Sequence, residues 1–346
     1  MVRIGVICPS EIAFRRFLPA LQKADDFQYI GVAFASADEW FGKNRKDVDP
    51  ALVKQVLESE SNKAQRFVDT YGGKVFGGYE NLIGSEEIDA VYLPLPPALH
   101  YKWAEKALMA GKHVFVEKPS TTSLADTQKL IRLAEERGLA IHEDYMFVFH
   151  NQVEAINDVV KSGELGDIRL YRISFGFPRR DNGDFRYRKV LGGGALLDCG
   201  GYTMKYASLL LGETAHLVAA TSNYISGFDV DMYGSATMMN DEGLVAQLAF
   251  GMDNDYKCEV EIWGSKGTLT SGRILTAPVG FVPTYTIKKN SEIETRYLPD
   301  DDSFLKSIQY FGQCIREDET RLKNYLTIER QETFVDEFRK MSNMEN

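Results

Sequence analysis

Gly111-Lys112-His113-Val114-Phe115-Val116-Glu117-Lys118-Pro119 is the stretch that decides how this chain reads. Its glycine closes a helical pattern over 101–110. An apolar run of β type follows, and a carboxylate, an amine and a proline end it. Charges at the carboxyl end of an apolar strand stand where open α/β sheets bind ligands, in the crevice outside the strand ends. Pro119 biases Lys118 toward an extended backbone and fixes the direction of the exit. Taken alone, Glu117 and Lys118 read equally well as site residues and as ordinary loop charges.

Composition sets the frame. A chain of 346 residues is long enough for two domains of ordinary size, each burying its own core. Its 44% apolar and 26% charged residues are those of a globular protein, and the net charge of −10 argues against a nucleic-acid or anionic-membrane partner. No run approaches the ~20 apolar residues of a membrane span. The first residues already read as a strand, so no leader is expected. Cys8, Cys199, Cys258 and Cys314 are scattered without a paired spacing. The expectation is reduced thiols, a cytoplasmic location and no metal.

Outward from the opening stretch, strands and helices alternate through the first 145 residues. Val2 to Ile7, Tyr29 to Ser36, Val75-Phe76 and Ile88 to Leu93 read as strands, and Leu139 begins another. Helical patterns run from Lys63 to Tyr71 and from Ser123 to Arg137. After Val2–Ile7, Ser10 suits an N-cap, and Pro19 should kink the helix that follows. From Gly166 onward strands cluster: Ile168 to Phe177, Leu217 to Tyr224, Met232 to Met239, Leu244 to Phe250 and Cys258 to Trp263. The fold class is therefore α/β over 1–145, a dinucleotide-binding (Rossmann) domain. An α+β domain with a large, mostly antiparallel sheet covers 146–346. A broad sheet leaves a face to cover, so a homo-oligomer is expected.

The run Gly-Lys-His-Val followed by Val-Glu-Lys-Pro resembles the signature of the Gfo/Idh/MocA family of nicotinamide-dependent oxidoreductases. The resemblance extends along nearly the whole chain and implies a place beside nicotinamide and substrate for Lys118. Other segments join it. Pro94-Leu95-Pro96-Pro97-Ala98-Leu99-His100 is similar to the proline-rich loop of the family, whose backbone flanks the cofactor. This makes Leu93, Pro94, Leu95 and His100 candidate cofactor contacts, with a purely structural His100 equally open. Arg186 matches an arginine that in the family reaches the cofactor. Asp198-Cys199-Gly200-Gly201-Tyr202 resembles the Asp-x-Gly-x-His motif, with tyrosine in the last place as in keto-sugar reductases, glucose–fructose oxidoreductase and dihydrodiol dehydrogenase.

One motif is damaged. Where the family shows Gly-x-Gly-x-x-Ala, this chain has Cys8-Pro9-Ser10-Glu11-Ile12-Ala13. The missing glycines normally permit the turn and the close approach of the pyrophosphate. Glu11 puts a negative charge beside it. Cys8, Pro9, Ser10, Glu11 and Ile12 are nevertheless the cofactor loop that the resemblance implies. After the second strand, Ala35-Ser36-Ala37 offers no terminal carboxylate for a ribose 2′-hydroxyl, which favours NADP over NAD slightly and makes Ser36 a candidate contact.

The resemblance implies that Lys118, Tyr202 and Asp198 are catalytic. Reducing a ketone adds hydride to carbon and requires a proton for the alkoxide. A phenol of pKa about 10 donates a proton well, and an ammonium nearby eases the exchange. Tyr202 is the expected acid/base, Lys118 its electrostatic partner, and Asp198 a hydroxyl acceptor or an orienter of Lys118. The expected activity transfers hydride between NADP or NAD and a sugar-like alcohol or ketone, with reduction of a keto-sugar, free or nucleotide-linked, favoured. Two rivals stand: a cofactor-retaining glycosidase of the same fold, and a non-catalytic nucleotide sensor, which the damaged loop favours.

Overall fold

The computed structural model describes residues 1–344. The chain forms two compact units. The first comprises residues 1–121, 125–144 and 307–328. It contains β1 (Val2–Ile7), α1 (Leu18–Leu21), β2 (Phe27–Phe34), α2 (Ala37–Phe41), α3 (Pro50–Tyr71), β3 (Lys74–Gly77), α4 (Tyr79–Ile83), β4 (Ala90–Leu93), α5 (His100–Met109), β5 (His113–Glu117), α6 (Leu124–Arg137, from Ala125) and β6 (Ile141–Asp144). All six strands run parallel in the order β3-β2-β1-β4-β5-β6. This is the doubly wound arrangement, with the chain reversing direction across the sheet between β1 and β4. Val91, Leu93, Val114 and Val116 pack with Trp103, Leu108 and Ile131 on one face. Strands buried on both faces explain the continuous apolar runs in the sequence.

Of the described residues, the second unit takes 122–124, 145–306 and 329–344. It holds α7 (Asn151–Lys161), β7 (Ile168–Gly176), α8 (Gly201–Leu211), β8 (His216–Tyr224), β9 (Asp231–Met239), β10 (Val245–Gly251), β11 (Lys257–Gly264), β12 (Thr268–Gly272), β13 (Thr284–Lys289) and β14 (Glu292–Tyr297). Its eight-stranded sheet has the order β14-β13-β12-β11-β7-β10-β9-β8, antiparallel except for the β7–β10 pair. The helical segment around Met204, Tyr206 and Ala207 covers one face of it.

Two helices divide their length between the units: α9 (Ser303–Arg316) and α10 (Asp318–Met341). The domain boundary read from the sequence ran the second domain from 146 to the end. The contacts instead return 307–328 to the first unit. The reason is the sheet face that carries Phe115 and His142, which Phe311 of α9 covers at ring distances of 5.4 and 6.2 Å. Without that cover these rings would face water. The kink expected at Pro19 appears as a widened turn: Ala13–Phe17 is π-helical, and α-helix resumes at Leu18. Proline supplies no N–H to the preceding turn, and a wider turn accommodates that loss. Among the described residues no helix is long and apolar enough to cross a membrane.

Candidate active site

Four strand exits of the first unit carry its candidate residues. At the end of β1, Cys8 adopts φ 84°, the backbone conformation that a glycine would take there. Its N–H bonds Ala33 O at 3.1 Å, and the Ser10 hydroxyl accepts from Ala13 N at 3.2 Å, as an N-cap does. The thiol faces the Tyr79 phenol, and burial pushes it up to about 11, so it stays a thiol. Glu11, the unhelpful charge of the sequence reading, is held between Arg66 at 2.9 Å and Arg15 at 2.8 Å. Arg66 foremost keeps its carboxyl below the usual range. Ile12 remains exposed in the loop.

After β2, Ser36 caps α2 in a reciprocal box with Glu39. The Glu39 carboxylate accepts from three backbone amides, Ser36 N at 2.7 Å, Tyr79 N at 3.0 Å and Glu80 N at 2.9 Å. Asp38 pairs with Arg45. Both acids beyond β2 are thus engaged by the protein itself.

After β4, residues 93–97 lead into α5, whose first residue is His100. This imidazole is fully buried, with Nδ1 2.7 Å from Pro119 O and Nε2 2.7 Å from Leu95 O. Burial pulls it down to about 4, so it is neutral near pH 7 and donates to one carbonyl according to tautomer. The ring ties the proline-rich loop to the corner after β5.

That corner is the most heavily braced part of the unit. The Glu117 carboxylate accepts from the Tyr92 phenol at 2.6 Å. Ser120 N–H donates to Glu143 at 2.8 Å, and Ser120 and Thr121 meet the Thr127 hydroxyl at 3.1 and 2.8 Å. Lys118, in a cis peptide with Pro119, is therefore presented by a backbone fixed on both sides.

In the second unit, Tyr202 lies on α8 and is 7% exposed. Tyr145 and Phe175 meet its ring edge-on at 5.1 and 5.3 Å, and its hydroxyl is 4.0 Å from the Met146 sulfur. Such an aromatic cage fixes the ring. Asp198, in the π-turn Leu196–Gly200, accepts from Arg186 Nε at 2.7 Å, and Asp184 takes Arg186 Nη1 at 3.2 Å. Burial works against the guanidinium charge, but the two carboxylates raise its pKa on balance. Asp198 and Arg186, predicted separately as catalytic and cofactor-binding, are thus partners of each other.

Gly193 and Gly194 let this segment lie close: a Cβ at Gly193 would sit 2.4 Å from Arg186 O, and one at Gly194 2.3 Å from Asp231 Oδ1. Asp231 accepts from Leu196 N at 2.7 Å and so caps the helix start. Its carboxyl is pushed up to about 6, chiefly by burial.

The sequence reading missed Tyr92, Glu143, Asp144, Tyr145 and Asp231. Only Glu143 and Asp144 carried a signal, two acids at the end of an apolar strand like that of Glu117.

Residues 4–145 match the model of an oxidoreductase family with an NAD-binding Rossmann fold, and residues 153–270 match the Gfo/Idh/MocA C-terminal domain. A dTDP-3,4-didehydro-2,6-dideoxy-alpha-D-glucose 3-reductase of Actinomadura kijaniata is 36% identical over 91% of this chain and 87% of its own length. Its namesake from Streptomyces violaceoruber is 38% identical over 91% and 85%. The crystal structure of KijD10, a 3-ketoreductase from Actinomadura kijaniata in complex with NADP and TDP-benzene, superimposes with a TM-score of 0.88 at 35% identity, covering 98% of this chain and 97% of that one. The chain belongs to the Gfo/Idh/MocA family and is an NAD(P)-dependent oxidoreductase.

Proposed function

We propose that this protein reduces the keto group of a nucleotide-linked sugar with NADPH. The observation that carries the reading is the corner after β5, where buried partners at Glu117, Pro119, Ser120 and Thr121 hold Lys118 at a strand exit. Precise placement of an amine is what charge stabilisation at a developing alkoxide requires. NADPH, when bound, supplies the hydride. As the carbonyl carbon gains it, the C=O electron pair moves to oxygen; Tyr202 donates its phenolic proton there, and the Lys118 ammonium stabilises the charge on both oxygens. Water then reprotonates Tyr202. Asp198, held by Arg186, serves as the acceptor for a neighbouring sugar hydroxyl.

KijD10 supports these assignments. It was also solved as a tyrosine-to-phenylalanine variant and as lysine variants, and the two altered positions lie 84 residues apart, as Lys118 and Tyr202 do. The preference for NADP rests on Glu39, whose carboxylate is consumed by three amides and has little capacity left for a ribose hydroxyl. Cys8 supports cofactor binding, since it keeps the glycine conformation that the damaged loop had put in doubt. This weakens the sensor reading. The four free thiols support a cytoplasmic location. Self-association is supported by exposed Tyr224, Tyr233 and Trp263 on the second unit's sheet; light scattering giving a monomer at micromolar concentration would remove it.

The test of the main reading has two stages. NADPH and NADH are titrated by fluorescence, and absorbance at the reduced nicotinamide band is then followed with a dTDP-linked 3-keto-sugar. Tighter binding of NADPH and its oxidation are expected. If neither cofactor binds, the reading is wrong.

A further inference from the structure

The parallel register of β5 and β6 pairs Phe115 with His142 and Glu117 with Asp144. Paired residues of neighbouring strands project to the same face, so two carboxyl groups stand abreast at the strand ends. Tyr92 of β4, paired with Phe115, shares that face. Phe17 stacks on Tyr92 at 3.7 Å and Phe311 meets Phe115 at 5.4 Å, which closes the face to water. Asp144 and Ser307 are fully buried there. The Ser307 hydroxyl donates to Asp144 Oδ1 at 2.6 Å, and its lone pair then accepts from His142 Nε2 at 2.9 Å. Asp144 Oδ2 is buried without a hydrogen-bond partner.

Among the described residues, the face that carries Asp144 also holds Tyr92 from β4, Glu117 from β5 with Lys118 next along the chain, and His142 from β6, covered by Ser307 and Tyr310 of α9 and by Phe17 from the segment before α1. Glu143 projects to the opposite face, where it accepts from Ser120. Two carboxylates side by side in a dry setting do not both ionise. Glu117, partly exposed and holding the Tyr92 proton, is the better seat for the charge. Burial first, and the Glu117 charge second, push Asp144 far above the usual carboxylate range.

We propose that Asp144 remains an uncharged carboxylic acid at pH 7 and is a positioning residue for Lys118, its neutrality letting the end of β6 lie beside the Glu117 charge at the end of β5. Ionising it sets two negative charges abreast, parts the strand ends and loosens the Lys118 corner. The inference deepens the reductase reading and rests on it for the cofactor used as probe.

NADPH affinity, kcat and melting temperature are measured from pH 6 to 9.5 for the wild type, Asp144→Asn and Ser307→Ala. The wild type should lose affinity and turnover along an alkaline limb of about tenfold per pH unit. Asp144→Asn keeps the shape of the acid without its charge, and should be flat relative to its own value at pH 7. Ser307→Ala removes a donor that favours the ionised form, and should move the limb to higher pH. A flat wild type, or a limb unmoved by both variants, would overturn the proposal. If Asp144→Asn does not fold, the direction of the Ser307→Ala shift decides. Absence of NADPH binding at every pH would instead refute the cofactor reading; melting temperature then decides the inference, because wild-type stability should fall with rising pH up to the folded pKa of Asp144 and level above it, with that fall absent in Asp144→Asn and carried to higher pH in Ser307→Ala.

Discussion

The loop after β1 and the corner after β5 leave the same end of one sheet, yet they keep their shapes by opposite means. The loop has lost its glycine fingerprint and retains its backbone. Cys8 takes the left-handed conformation, and a serine cap with a few main-chain bonds completes the turn. The corner has kept its motif, and buried side chains from β4, α5, α6 and β6 fix it. A motif reports reliably where side chains carry the interaction. It reports poorly where the backbone does, because more than one residue can be forced into a given φ at a modest cost.

The second unit sharpens this contrast, because its helix start also hangs on one buried carboxyl. Asp231 has a folded pKa of about 6, above its unfolded value near 3.8. A raised acid binds its proton more tightly in the folded state, so folding stability falls as pH rises from about 4 to about 6 and is level above that. The loss amounts to about 3 kcal/mol. Asp231→Asn should not suffer it, so the stability gap between variant and wild type, read by urea denaturation, should shift by about that amount between pH 4 and pH 7. A constant gap would remove Asp231 from the account.

The corner should be the next most sensitive. Tyr92→Phe takes the proton from the Glu117 carboxylate, and a loss of about 1–3 kcal/mol is expected at neutral pH. Equal denaturation midpoints would show that the brace is dispensable. The loop should respond least, and in the opposite direction. Cys8→Gly relieves a positive φ, which is worth about 1 kcal/mol, against the loss of a small half-buried side chain. Stability should change by less than about 1 kcal/mol, with NADPH affinity kept or improved. A large loss of affinity would mean that the thiol itself serves the cofactor.

Much of this architecture was legible. Apolar runs placed every strand of the first sheet, and β7 to β11 of the second were placed within two residues at either end. The rest was hidden for physical reasons. α3 begins at Pro50, but the helical pattern read from the sequence starts only at Lys63, because only Glu60, Ala64 and Phe67 of its 22 residues are buried. Asp49 followed by Pro50 was the overlooked start signal. β14 is an edge strand with almost no buried position, so no period-two pattern marks it. In the site, residue types were legible and partnerships were not. Nothing in one dimension ties Tyr92 to Glu117, Glu143 to Ser120 or Asp231 to Leu196, since these depend on register between distant segments.

The central claim is that one ammonium, on Lys118, and one phenol, on Tyr202, carry the reduction. Single-turnover oxidation of NADPH by a dTDP-linked 3-keto-sugar tests it most directly, in the wild type, Lys118→Ala and Tyr202→Phe, alongside NADPH titrations. Both variants should bind NADPH nearly as the wild type does and lose roughly 10²–10⁴-fold in rate. Wild-type rates in either variant would contradict the claim.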